Sequence, residues 1–91
     1  MQPKSAALWS ERGYAFLQKQ DYKSAVSDET EVIRLVPNSA RAFYLRGAAF
    51  GDLGDSRNAS DDIKTAVNLD PLMARFVVIQ GKNVSLTLPP L

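Results

Sequence analysis

The sequence predicts an all-α fold: helix-turn-helix repeats stacked as a short right-handed solenoid, with about five helices. Three observations predict it. Eleven residues recur at a spacing of 34, with Ser5, Ala6, Arg12, Gly13, Ala15, Phe16, Asp21, Ala25, Asp28, Leu35 and Pro37 returning as Ser39, Ala40, Arg46, Gly47, Ala49, Phe50, Asp55, Ala59, Asp62, Leu69 and Pro71. Chance would give roughly two identities over such a window. Within each unit the apolar residues fall at helical spacing, and a proline closes the unit. A period of this length marks a repeat architecture, whose units are too small to bury an apolar face alone and stack on one another.

In the first unit Trp9, Gly13 and Phe16, with Leu8 and Leu17, form the apolar stripe of a helix, and Ser5 stands where its hydroxyl can cap the first free N–H groups. Lys19-Gln20-Asp21 interrupts the pattern. Asp21 then caps a second helix carrying Tyr22, Ala25, Val26, Val32, Ile33 and Leu35, which Pro37 ends because the residue before a proline is disfavoured in the helical region. The second unit repeats the plan, with Ser39 as cap, Ala42, Phe43, Gly47 and Phe50 on one stripe, a turn at Gly54-Asp55, and Ala59, Ile63, Ala66, Val67 and Leu69 on the second helix. Glycine in mid-helix costs about 1 kcal/mol relative to alanine, so Gly13 and Gly47 mark a close approach of the paired helix.

A third copy begins and stops. Val77 and Gly81 stand 34 residues after Phe43 and Gly47, which predicts a capping helix over 74–82 that covers the apolar side of the second unit. Val84, Leu86 and Leu88 alternate before Pro89-Pro90, the pattern of an extended tail over 83–91 that lies along its own stack or in a neighbour's groove, or is disordered; Val84 also stands 34 after Phe50, which would carry the helix a turn further. The expected organisation is one domain over 1–91, with repeat one at 6–39 and repeat two at 40–73.

Composition narrows the function. The chain has 91 residues, 45% hydrophobic and 23% charged, with a formal charge of +1 and neither Cys nor His. Without these two residue types it lacks thiol chemistry, the commonest general base and the commonest metal ligand. No enzyme activity, metal or cofactor is expected. Near-neutral charge without long like-charge blocks disfavours nucleic acid and anionic lipid as partners, and no apolar run reaches bilayer-spanning length. No secretory signal is visible, which leaves the cytoplasm as the default expectation.

The spacing and residue types resemble the tetratricopeptide repeat family, whose 34-residue unit prefers aromatic, Gly, aromatic, Ala, bulky, Ala and Pro at fixed positions. Here these are Trp9, Gly13, Phe16, Ala25, Glu29, Val32 and Pro37, then Phe43, Gly47, Phe50, Ala59, Ile63, Ala66 and Pro71. Three departures stand out. Arg12, Arg46 and Gln80 occupy a place where the family often has Leu; the arginine stems are expected to pack along the helix with the charge at the rim. Glu29 occupies an apolar position and needs a cationic or N–H partner, for which Arg12 is the nearest candidate. The repeat count also falls short of the usual three.

The resemblance implies a non-catalytic protein-protein interaction module, in which the first helix of each unit lines a concave groove that takes a peptide or helix of a partner. The positions carried over include Ser10, Tyr14 and Leu17, then Arg41, Tyr44 and Ala48, then Arg75 and Val78. Tyrosine and arginine are enriched at interaction hot spots, which singles out Tyr14, Arg41, Tyr44 and Arg75. Ser10 and Tyr14 replace the Lys and Asn of the subgroup that clamps chaperone tails, but the remaining cations favour an acidic peptide. The alternative is a self-associating structural unit that forms dimers or longer stacks through its incompletely capped end.

Overall fold

The computed structural model describes residues 5–90 and is mostly helical. Four α-helices follow in order, α1 (Ala6–Gln18), α2 (Tyr22–Leu35), α3 (Ala40–Asp52) and α4 (Ser56–Leu69). The first three begin at the expected caps, and α4 begins at the cap Asp55, which the sequence marked as part of the turn. Ser5 and Ser39 accept from the N–H groups of Leu8 and Ala42 at 3.3 and 3.2 Å, and Asp21 and Asp55 accept from those of Ser24 and Asn58 at 3.3 and 3.2 Å. These bonds satisfy donors that a helix start leaves orphaned.

The turns inside the two units are also equivalent. Asp21 N–H donates to Phe16 O and Gln20 N–H to Leu17 O, and 34 residues later Asp55 donates to Phe50 and Gly54 to Gly51. This paired closure requires a left-handed residue just past the helix end. Gly54 takes it at φ 83°, and Gln20 takes it at φ 64°.

Successive helices pack on one another, α1 on α2, α2 on α3 and α3 on α4. Leu17 and Ala25 from the first pair and Leu45 and Ala49 from the second form one buried cluster, so the core is shared between units. Helix α3 lies innermost, burying Ala42, Tyr44, Leu45, Gly47, Ala48 and Ala49. Its glycine sits against α4, where a Cβ on Gly47 would stand 3.1 Å from Asp62 Cβ and 2.9 Å from Ile63 Cδ1.

The capping helix expected over 74–82 is replaced by a short 3-10 helix (Pro71–Phe76) and an antiparallel hairpin, β1 (Val77–Gln80) and β2 (Asn83–Leu86), with Val77 opposite Leu86 and Ile79 opposite Val84. Val77-Val78-Ile79 is a β-branched run, stiff at χ1 and suited to a strand. Gly81-Lys82 then makes a two-residue turn with a positive φ, 62°, at Gly81 alone, the pattern of a type II′ hairpin. Gly81 therefore serves a turn, where the repeat register placed it on the capping helix. The tail expected from residue 83 enters the second strand first and leaves the sheet as an extended segment only at 87–90; Leu91 lies outside the described residues.

Candidate functional site

Residues 87–90 lie against the inner face of the helical stack. The Thr87 N–H and hydroxyl both donate to the Phe76 carbonyl at 2.8 Å, which fixes the segment where the hairpin ends. Leu88 packs against the shared core cluster, and Pro89 is buried. Proline has no N–H, so its burial leaves no orphan donor.

Two predicted groove residues hold this segment through its backbone. Tyr44 is fully buried, and its hydroxyl lies 2.8 Å from the Thr87 carbonyl and 3.0 Å from that of Phe76, with one proton between them. Burial pushes its phenol up to about 12. Its ring meets Phe76 edge-on, with centroids 6.0 Å apart. Arg41 donates from Nη1 to the Pro90 carbonyl at 2.6 Å and lies over the Tyr14 ring at 5.4 Å. Its Nη2 is buried without a hydrogen-bond partner.

The structure thus brings Tyr14, Leu17, Arg41, Tyr44 and Ala48 into one region, although Leu17, Tyr44 and Ala48 are buried rather than open to a partner. Ser10 is engaged elsewhere, its hydroxyl donating to Glu29 Oε1 at 3.3 Å. Arg75 and Val78 do not stand on a third groove-lining helix, because that helix does not form. Arg75 is on the 3-10 helix with its guanidinium 4.9 Å from the Phe76 ring, and Val78 is on β1 opposite Ser85. Beside the segment a cleft of about 780 Å³ opens between α3, α4 and the hairpin, lined by Leu17, Ala48, Ile63, Val77, Leu86 and Leu88 with Lys64 among them.

The expected Arg12–Glu29 pair is not formed. Arg12 holds Asp28 instead, with Nε 2.7 Å and Nη2 2.8 Å from its carboxylate oxygens. Glu29 has no exposed surface, and its Oε2 has no hydrogen-bond partner. Burial raises its carboxyl to about 8, against the opposing pull of the Ser10 hydroxyl and the Arg41 charge. A buried carboxyl with one neutral donor is best accommodated as the protonated acid.

The contacts that register alone did not assign are those of Thr87, Leu88, Pro89 and Pro90. Their signal was the alternation of Leu86 and Leu88 before two prolines, which marked an extended segment without saying which surface it meets. Among the described residues no three acidic side chains group as metal ligands, and no helix is long and apolar enough to cross a membrane. No protein-family model matches the chain, and no curated protein matches it.

Proposed function

We propose that this chain is a non-catalytic protein-protein interaction module of tetratricopeptide repeat type, a short right-handed solenoid whose concave face takes an extended peptide. The observation that carries this reading is the hold on residues 87–90: Tyr44 and Arg41, two of the expected hot-spot residues, bind a non-helical segment through its carbonyls. Carbonyl recognition from fixed side chains suits ligands of varied sequence, with one apolar pocket adding selectivity. The unpartnered Arg41 Nη2 and the exposed Arg75 support a ligand that carries a carboxylate. The test is a synthetic peptide array probed with the wild-type chain and with Tyr14→Ala and Arg41→Ala. Peptides retained by wild type and lost from both variants support the reading; retention by all three overturns it.

A second reading, self-association, has its own observation. Ile79 and Val84 are cross-strand partners on the hairpin and are 70% and 64% exposed, with Leu72 nearby in sequence at 66%. An apolar pair on an exposed two-stranded sheet is a surface another copy could cover. Sedimentation over a range of concentrations, compared with Ile79→Lys, tests it: a mass that rises with concentration only in wild type supports it, and a constant monomer mass overturns it.

A further inference from the structure

The groove residues expected to meet a partner already hold a ligand, and that ligand is the chain's own C-terminal segment. Thr87 supplies the carbonyl for Tyr44, Leu88 the apolar side chain for the shared core, Pro89 a buried residue without a donor, and Pro90 the carbonyl for Arg41. We propose that residues 87–90 are a built-in competing ligand, and that the groove's external partner is an extended peptide with a Leu-Pro core and a carboxylate at the Pro90 position, which binds by displacing them. This rests on the reading of the concave face as a peptide site.

Three features favour displacement over permanent closure. The segment is rooted at the Phe76 carbonyl, which accepts from the N–H and hydroxyl of Thr87, and beyond that root it is held by one bond from Tyr44 to the Thr87 carbonyl and one from Arg41 to the Pro90 carbonyl. Residues beyond that point can leave while the hairpin remains. Leu88 is only partly buried, and the segment joins a two-stranded hairpin, which is marginally stable alone. Finally, the neutral Pro90 carbonyl uses one nitrogen of Arg41, and the buried Nη2 stays unpartnered. A carboxylate there would accept from both nitrogens of the fork, which gives an acidic ligand an advantage the strap lacks.

A tethered ligand acts at an effective concentration near the millimolar range, so an outside peptide must compete with it. The probes are fluorescent synthetic peptides, one of residues 84–91 amidated at its end and one of residues 84–90 ending in a free carboxylate on Pro90, titrated by anisotropy into the full chain. The proteins are wild type, Leu88→Asp, which expels the strap, and Pro89→Gly, which loosens it while keeping Leu88. Both variants should bind the amidated peptide at least about tenfold more tightly than wild type. The peptide ending in a carboxylate on Pro90 should bind more tightly still, an advantage lost when Arg41→Ala is added. Tyr44 supplies a second readout: its phenol should titrate lower in Leu88→Asp and return upward on saturation with peptide. Equal peptide affinity in wild type and in whichever variants retain helical circular dichroism overturns the strap and leaves the groove reading standing. Absence of binding to those folded variants overturns the groove reading itself.

Discussion

Arg46 holds Asp62 through two contacts, Nε to Oδ2 at 2.7 Å and Nη2 to Oδ1 at 2.9 Å, and 34 residues earlier Arg12 holds Asp28 through the same two nitrogens at 2.7 and 2.8 Å. In both units the guanidinium also lies between two rings, Arg12 near Trp9 and Phe16 at 5.0 and 5.7 Å, Arg46 near Phe43 and Phe50 at 5.5 and 5.8 Å. A planar, delocalised cation can stack on aromatic faces and fork onto a carboxylate at once, which lysine cannot do. Both aspartates are buried, so each arginine crosses from the first helix of its unit to the second. Arg46 also reaches Thr30 on α2 at 3.3 Å, which ties the second unit to the first.

Asp62→Ala should therefore destabilise the chain by roughly 3 kcal/mol, because it strands a largely buried guanidinium. The double variant Arg46→Leu with Asp62→Leu should cost much less, since neither charge is then left behind. Urea unfolding of the two single variants and the double variant checks this, and a double variant no better than the worse single one would refute it.

Glu29 predicts a pH dependence of opposite sign to that of an ordinary ion-paired carboxylate. Its folded value, about 8, lies above the ordinary carboxyl value of 4.5, so the folded state binds a proton that the unfolded chain releases. The stabilisation is full below about 4.5, falls as pH rises toward about 8, and levels off above it, a loss on the order of 3 to 5 kcal/mol. Glu29→Gln should flatten this fall and be the more stable protein at pH 8. Thermal melts of both proteins from pH 5 to pH 9 decide it.

The four helices were legible because every signal for them is local: caps, period and terminal proline lie within one 34-residue window. The Arg12 partner was harder. Asp28 and Glu29 are adjacent, and only the rotation of α2 against α1 decides which carboxylate meets the arginine. Repeat register held the answer, since Asp28 recurs as Asp62 and Glu29 is replaced by Ile63. The third copy misled for another reason. Val77 and Gly81 match the register, but β-branched residues followed by Gly-Lys also encode a hairpin, and no second helix follows to bury a helical face. Of the groove residues, Arg41 and Tyr44 could be placed on the inner face, whereas their partner segment is 43 to 49 residues away and sequence period carries no information about it.

Gln20 stands in the left-handed region where the equivalent residue of the second unit is Gly54. A side chain there crowds the following carbonyl, at a cost of roughly 1 to 2 kcal/mol, while glycine gains unfolded-state entropy. Gln20→Gly should give a net stabilisation of about 0.5 to 1 kcal/mol, read as a higher urea midpoint at unchanged slope. The reverse change, Gly54→Gln, should destabilise by a similar amount.

Gly47→Ala sets helix propensity against packing. Alanine gains about 1 kcal/mol in an isolated helix, but the added methyl would press on Asp62 Cβ and on Ile63. Ile63 can rotate, whereas the Asp62 Cβ is held by the grip of Arg46 on its carboxylate. Overpacking should prevail with a net loss of about 1 to 2 kcal/mol, and a more stable Gly47→Ala would show that α4 yields easily.

Tyr44→Phe removes one hydroxyl and leaves the ring in its packed place. The Phe76 carbonyl keeps both donors from Thr87, whereas the Thr87 carbonyl loses its bond from Tyr44. The loss should be about 1 kcal/mol, the usual net contribution of one such hydrogen bond. The damage should also be local, because the helices do not depend on that bond. Amide exchange at Thr87 and Leu88 should accelerate while protection in α1 and α2 falls only in proportion to global stability. A uniform loss of protection would mean that the strap and the helical stack unfold as one unit, and displacement of 87–90 by a peptide would then require opening the whole fold.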